Sequence, residues 1–180
     1  MADGTPQDMR GAVLLDQAKK QYPILNKVPM QFAYQPKDVK APEGAMLESY
    51  LPGETDRPKS FPLNQFGMAV FSPKTTPKDI LGDVVSHYMI QNDPTVKAAY
   101  ESFLQGLTPQ NQSFLQELYK EAQVREGEKR SFDEWTKMTG IPSMFRGYMF
   151  DQYAPAEFSK AYTPEQIAAF DKLKTYLGMK

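Results

Sequence analysis

The chain has 180 residues, 41% of them hydrophobic and 12% aromatic, a composition that folds and can bury roughly 70% of the unfolded surface. It contains no cysteine, which excludes a disulfide framework, a thiol nucleophile and every cysteine-based zinc site. Lys plus Arg number 21 against 22 Asp plus Glu, for a net charge of −1, without the one-sided basic field that phosphate neutralisation requires, so no direct nucleic-acid binding is expected.

The amino terminus, Met1-Ala2-Asp3-Gly4-Thr5-Pro6, lacks the basic and apolar regions of a signal peptide. No apolar run approaches the roughly 18 residues of a membrane span. The chain is therefore expected to be made and used in water, with no membrane partner.

Thr5-Pro6 opens the first predicted element, a helix over residues 5–22. Its hydroxyl caps the first turn and its proline suits the first helical position. Prolines then recur at 23, 29, 36, 42, 52, 58, 62 and 73, which no long helix tolerates. Between them Val28–Tyr34, Ala45–Leu51 and Gln65–Phe71 read as short strands, the third alternating most plainly through Phe66, Met68 and Val70. A small antiparallel sheet follows from these, near the N-terminal third. The charged, proline-rich Pro52–Pro62 reads as an exposed loop.

Helix starts resume at Thr76-Pro77, Asp93-Pro94, Thr108-Pro109 and Thr163-Pro164. Ser131 with Glu134, and Thr163 with Gln166, fit the capping box, in which two side chains satisfy each other's orphan backbone donors. The stripes behind these starts have helical period. Val96, Ala99, Tyr100, Phe103, Leu104 and Leu107 form one, and Phe114, Leu115, Leu118, Tyr119 and Ala122 a second. Ile141, Met144, Phe145, Tyr148 and Met149 form a third, with Ile167, Phe170, Leu173 and Leu177 the last. The predicted fold is α+β and mostly helical. It is one domain over 1–180, with a sheet over 28–71 and a helical half over 76–178.

His87 is the single histidine, and so the first candidate for proton transfer near neutral pH. Asp79, Asp83 and His87 recur at four-residue intervals on the helix opened by Thr76-Pro77, which sets them on one face. A strand followed by a helix with two ligands four apart is the layout of a zincin peptidase, H-E-x-x-H. Here the segment is Asp83-Val84-Val85-Ser86-His87: aspartate replaces the first ligand, and Val84 stands where the general base belongs. A third ligand would have to be a carboxylate such as Glu117, Glu121 or Glu128, an oxygen-rich set unusual for catalytic zinc. The plainer expectation is a carboxylate–imidazole pair one turn apart, with no metal and no cofactor.

A serine triad would need His87, and Ser86 beside it is expected to point elsewhere on the helix; no G-x-S-x-G elbow or phosphate-cradling glycine loop occurs. A carboxylate pair for glycoside hydrolysis is a spatial feature that spacing along the chain does not reveal. Arg130 and Trp135 lie in Gly127-Glu128-Lys129-Arg130-Ser131-Phe132-Asp133-Glu134-Trp135, and Arg146 sits within the apolar Met144–Phe150. These three are candidate binding residues. The structural alternative for Arg146 is an ion pair with Asp133 or Glu134.

Residues 60–150 resemble a group of uncharacterised proteins encoded among the virion genes of tailed bacteriophages. The resemblance rests on Gly82-Asp83-Val84-Val85-Ser86-His87, Asp93-Pro94, Leu107-Thr108-Pro109-Gln110, the segment Gly127–Trp135 just quoted, and Arg146-Gly147-Tyr148, in that order. It covers neither the first 60 residues nor the last 30. It implies a virion-associated phage protein, made in the host cytoplasm, with at most a degenerate zincin-like scaffold and no implied activity. The expected function is thus non-enzymatic: packing against other virion proteins or against itself. A hydrolase or metal-binding protein centred on Asp83 and His87 is the alternative, as is a host-directed inhibitor. Interfaces are expected in the loop 52–62 or near the two termini.

Overall fold

The computed structural model describes residues 6–41, 45–55, 57–125, 127–150 and 164–179. Two compact units emerge, Met1–Tyr88 with Leu177–Lys180, and Met89–Tyr176. The fold is α+β, as its alternation of proline-punctuated strands and capped helices dictates.

In the first unit, α1 spans Pro6–Gln21 and a 3₁₀ turn follows at Pro23–Lys27, burying Ile24 and Leu25. The capping residue expected for α1, Thr5, lies outside the described residues. Three strands come next, β1 Met30–Tyr34, β2 Leu47–Tyr50 and β3 Phe66–Val70, within the stretches the alternation predicts.

The sheet is mixed, not antiparallel. Its order is β1-β3-β2, with β1 parallel and β2 antiparallel to β3. The chain does reverse between consecutive strands, as expected. What sequence order hides is adjacency: β2 forms the far edge, and β3 lies between its two predecessors. The central strand bonds on both sides, which suits a segment whose every residue is buried.

One face of this sheet carries α1 and α2, the latter spanning Pro77–Val84. The loop 52–62 covers the other face, where it was expected to be simply exposed. Pro52, Gly53, Glu54 and Thr55 are exposed, but Arg57, Pro58 and Phe61 are buried. Phe61 packs edge-on against Tyr50, with 6.0 Å between ring centroids, over Ala69. Gly67 makes this approach possible: a Cβ there would stand 2.4 Å from Phe61 Cδ2. Arg57, 7% exposed, donates to the carbonyls of Pro62 at 3.0 Å, Tyr50 at 3.3 Å and Gln65 at 2.8 Å. Its guanidinium carbon lies 6.0 Å from the Tyr50 ring centroid and 5.9 Å from that of Phe61. The arginine serves here in place of an apolar anchor because its fork supplies donors to three carbonyls within this layer.

After α2 the helix widens into a π turn at Val85–Met89 and ends as α3, Ile90–Asn92. In the second unit α4 spans Pro94–Gln105, α5 Pro109–Arg125 and α6 Phe132–Trp135. A second π turn follows at Thr136–Gly140, then α7 over Ile141–Phe150 and α8 over Pro164–Tyr176. Asp93 caps α4 through Oδ1, which accepts from Thr95 and Val96 N–H at 3.0 Å each, while Oδ2 accepts from the Tyr176 hydroxyl at 2.8 Å. One carboxylate thereby ties the start of α4 to the end of α8. Thr108 and Asn111 form a reciprocal cap on α5, and Ser131 with Glu134 the predicted box on α6. The box expected at Thr163 lies outside the described residues.

Three of the predicted stripes, those of α4, α7 and α8, meet in an aromatic core. Phe145 stands 5.2 Å from Tyr100, 5.5 Å from Phe103 and 6.0 Å from Phe170, centroid to centroid. Each such pair adds about 0.5–1.5 kcal/mol beyond the area it buries.

Candidate functional site around Asp83 and His87

Asp83 and His87 are placed by the helix that Thr76 starts. The Thr76 hydroxyl accepts from Asp79 N–H at 3.3 Å, and Asp79 Oδ2 accepts from Thr76 N–H at 2.8 Å. Asp79, one of the three acidic and imidazole groups on the predicted face, thus serves the helix start. Asp83 follows one turn later, 3% exposed, facing the sheet. The β2–β3 register sets Ser49 opposite Met68 and Tyr50 opposite Gly67. Tyr50 therefore turns to the loop and Ser49 to α2, where its hydroxyl donates to Asp83 Oδ2. Nothing in the sequence marks Ser49, because its partner lies across a strand-to-helix contact.

His87 lies within the π turn, and this alters its neighbourhood. Ser86 does not point away: its Oγ is 3.0 Å from His87 Nδ1 and donates to the Asp83 carbonyl at 3.2 Å. The wider turn brings successive side chains closer in angle than an α-helix does. Nδ1 also lies 3.1 Å from the Asp83 carbonyl oxygen and 3.7 Å from its carboxylate Oδ1. A carbonyl only accepts, so this contact favours the proton on Nδ1 and leaves the lone pair on Nε2.

This arrangement differs from a catalytic triad. There the carboxylate holds one ring nitrogen and the nucleophile meets the other. Here serine, carbonyl and carboxylate all converge on Nδ1, and Ser86 is 0% exposed. It differs also from a zincin site. One carboxylate oxygen of Asp83 is taken by Ser49, and among the described residues no group of three His, Asp or Glu could hold a metal ion. The chemistry it can perform is modest: it links β2 to α2 and fixes the tautomer of a partly exposed imidazole.

The other candidates are in the second unit. Trp135, 4% exposed, lies 5.4 Å from the Tyr119 ring, and a Cβ on Gly140 would stand 2.6 Å from its indole. It is core of that unit. Arg130 grips Glu128 with Nε to Oε1 at 2.9 Å and Nη2 to Oε2 at 2.5 Å, and its carbonyl accepts from the Tyr119 hydroxyl at 2.6 Å. The Arg130 fork holds the Glu128 carboxyl down to about 2. Burial pushes the Tyr100 phenol up to about 12, so it stays protonated and is no base near neutrality. Arg146 is half-buried on α7, and the Glu134 carboxylate accepts from the N–H and hydroxyl of Ser131 in the cap on α6.

Two large apolar side chains on α1 stand out at the surface: Met9 is 58% and Val13 56% exposed, one turn apart. With Arg10, Leu14 and Gln17 they outline a shallow depression on the helix. No helix among the described residues is long and apolar enough to cross a membrane. Comparison with known proteins finds no matching family model, no matching curated protein and no matching solved structure.

Proposed function

We propose that the chain is a non-enzymatic, virion-associated bacteriophage protein that works by packing against other virion proteins or against copies of itself. The observation that carries this reading is the α1 surface, where Met9 and Val13, one turn apart on the same helix, each expose more than half of their area. It falls at the amino-terminal end, where the sequence led us to expect an interface. Ser86 supports the same reading, since it is 0% exposed and meets Nδ1, the ring nitrogen that also faces the Asp83 carbonyl, where a triad nucleophile would meet the other nitrogen. The virion assignment rests on the resemblance of residues 60–150.

Mass spectrometry of purified phage particles tests the proposal. The expected result is the chain in a fixed number of copies per particle. Its absence from particles that assemble normally without the gene would overturn the virion reading and favour a host-directed inhibitor.

A further inference from the structure

The exposed side of α1 carries a defined order of side chains. Gly11, Ala18 and Tyr22 are buried. On the opposite side Met9, Val13, Asp16 and Lys20 follow one another at the alternating four- and three-residue steps of a helix-packing seam, with Arg10 and Gln17 flanking it. Asp16 pairs with Lys20 at 2.7 Å, both largely exposed. Such a pair is weak and leaves the carboxylate available to a second cation.

We propose that this face of α1 pairs with the same face of a second copy, antiparallel about a two-fold axis at Val13. The inference rests on the packing reading above and names its partner. Self-complementarity decides in favour of a second copy. When two such helices run antiparallel with Val13 on the axis, Arg10 of one copy stands level with Asp16 of the other, twice over, and each Met9 meets the aliphatic stem of a Gln17. A parallel pair would set Arg10 beside Arg10 and Asp16 beside Asp16, which like-charge repulsion disfavours. An isologous contact of this kind closes with two copies. One helix pair buries less than the roughly 1,200 Å² of a standard interface, so the dimer is concentration-dependent.

Sedimentation equilibrium of the full chain from about 1 to about 100 μM provides the test. The average mass should rise from one chain towards two, and Val13→Glu should shift the midpoint at least tenfold upward. Arg10→Asp should weaken pairing, and the exchange Arg10→Asp with Asp16→Arg should restore it, because the two contacts are then reversed together. Circular dichroism confirms that each variant keeps its helix. A parent that stays at the mass of one chain throughout, or an exchange variant no better than Arg10→Asp alone, overturns the proposal. If the chain is monomeric yet present in particles, only the self-pairing falls, and the packing reading stands with another virion protein as partner.

Discussion

Ser49 on the second strand donates its hydroxyl to the carboxylate of Asp83 on α2, joining sheet and helix through a charge that is 3% exposed. A buried carboxylate is tolerated only while its lone pairs are filled. Ser49→Ala removes one donor and leaves the charge in place, so it should cost about 1–3 kcal/mol in urea unfolding. A midpoint equal to the parent's would show that water replaces the hydroxyl at no cost.

The capping residues offer a second measurement. Thr76, Thr108 and Ser131 each accept from a backbone N–H at the third helical residue. Each change to alanine should lower stability by about 1 kcal/mol, moving the urea midpoint without changing the slope. Three midpoints indistinguishable from the parent's would mean that these helix starts are held by packing alone.

Acid stability should bear the mark of Arg130. Glu128 falls from its ordinary 4.5 to about 2, so its contribution is complete above the unfolded value and is lost as pH drops from about 4.5 towards 2. The pair is worth on the order of 1 kcal/mol. Glu128→Gln should remove that loss, so that the two unfolding curves differ at pH 6 and converge near pH 2. A constant difference over the range would contradict the pairing.

Gly67 and Phe61 are coupled by contact. Gly67→Ala sets a methyl 2.4 Å from the Phe61 ring and should cost about 1–3 kcal/mol through overpacking. Adding Phe61→Leu should recover part of it, since the two sites share one space. An additive double variant would mean that the loop does not press on the strand.

Much of the fold was legible because its signals are local. Thr76-Pro77 and Ser131 with Glu134 announce their helices through chemistry that spans four residues, and the alternation of Phe66, Met68 and Val70 marks a strand. The sheet's order was not legible. β3 lies between β1 and β2, and that adjacency depends on a connection with no pattern of its own. Arg57 escaped for a related reason: its charge suggested an exposed loop, while its partners are carbonyls of residues five to eight positions away that only the folded path brings around it. At the candidate site the pair Asp83 and His87 was read from spacing. Ser49 and Ser86 were missed, the first because it comes from a strand, the second because a π turn breaks the angular rule used to place it.

The proposed role places the work of the chain on the apolar surface of α1 and not on its histidine. Quantitative mass spectrometry of phage particles assembled with the parent, with Val13→Glu and with His87→Gln separates the two most directly. That role predicts that His87→Gln is incorporated at the parent's copy number and supports normal infection, while Val13→Glu, though folded, is depleted from the particle. Normal incorporation of Val13→Glu together with lost infectivity in His87→Gln would contradict it, and would return the function to the imidazole and its carboxylate.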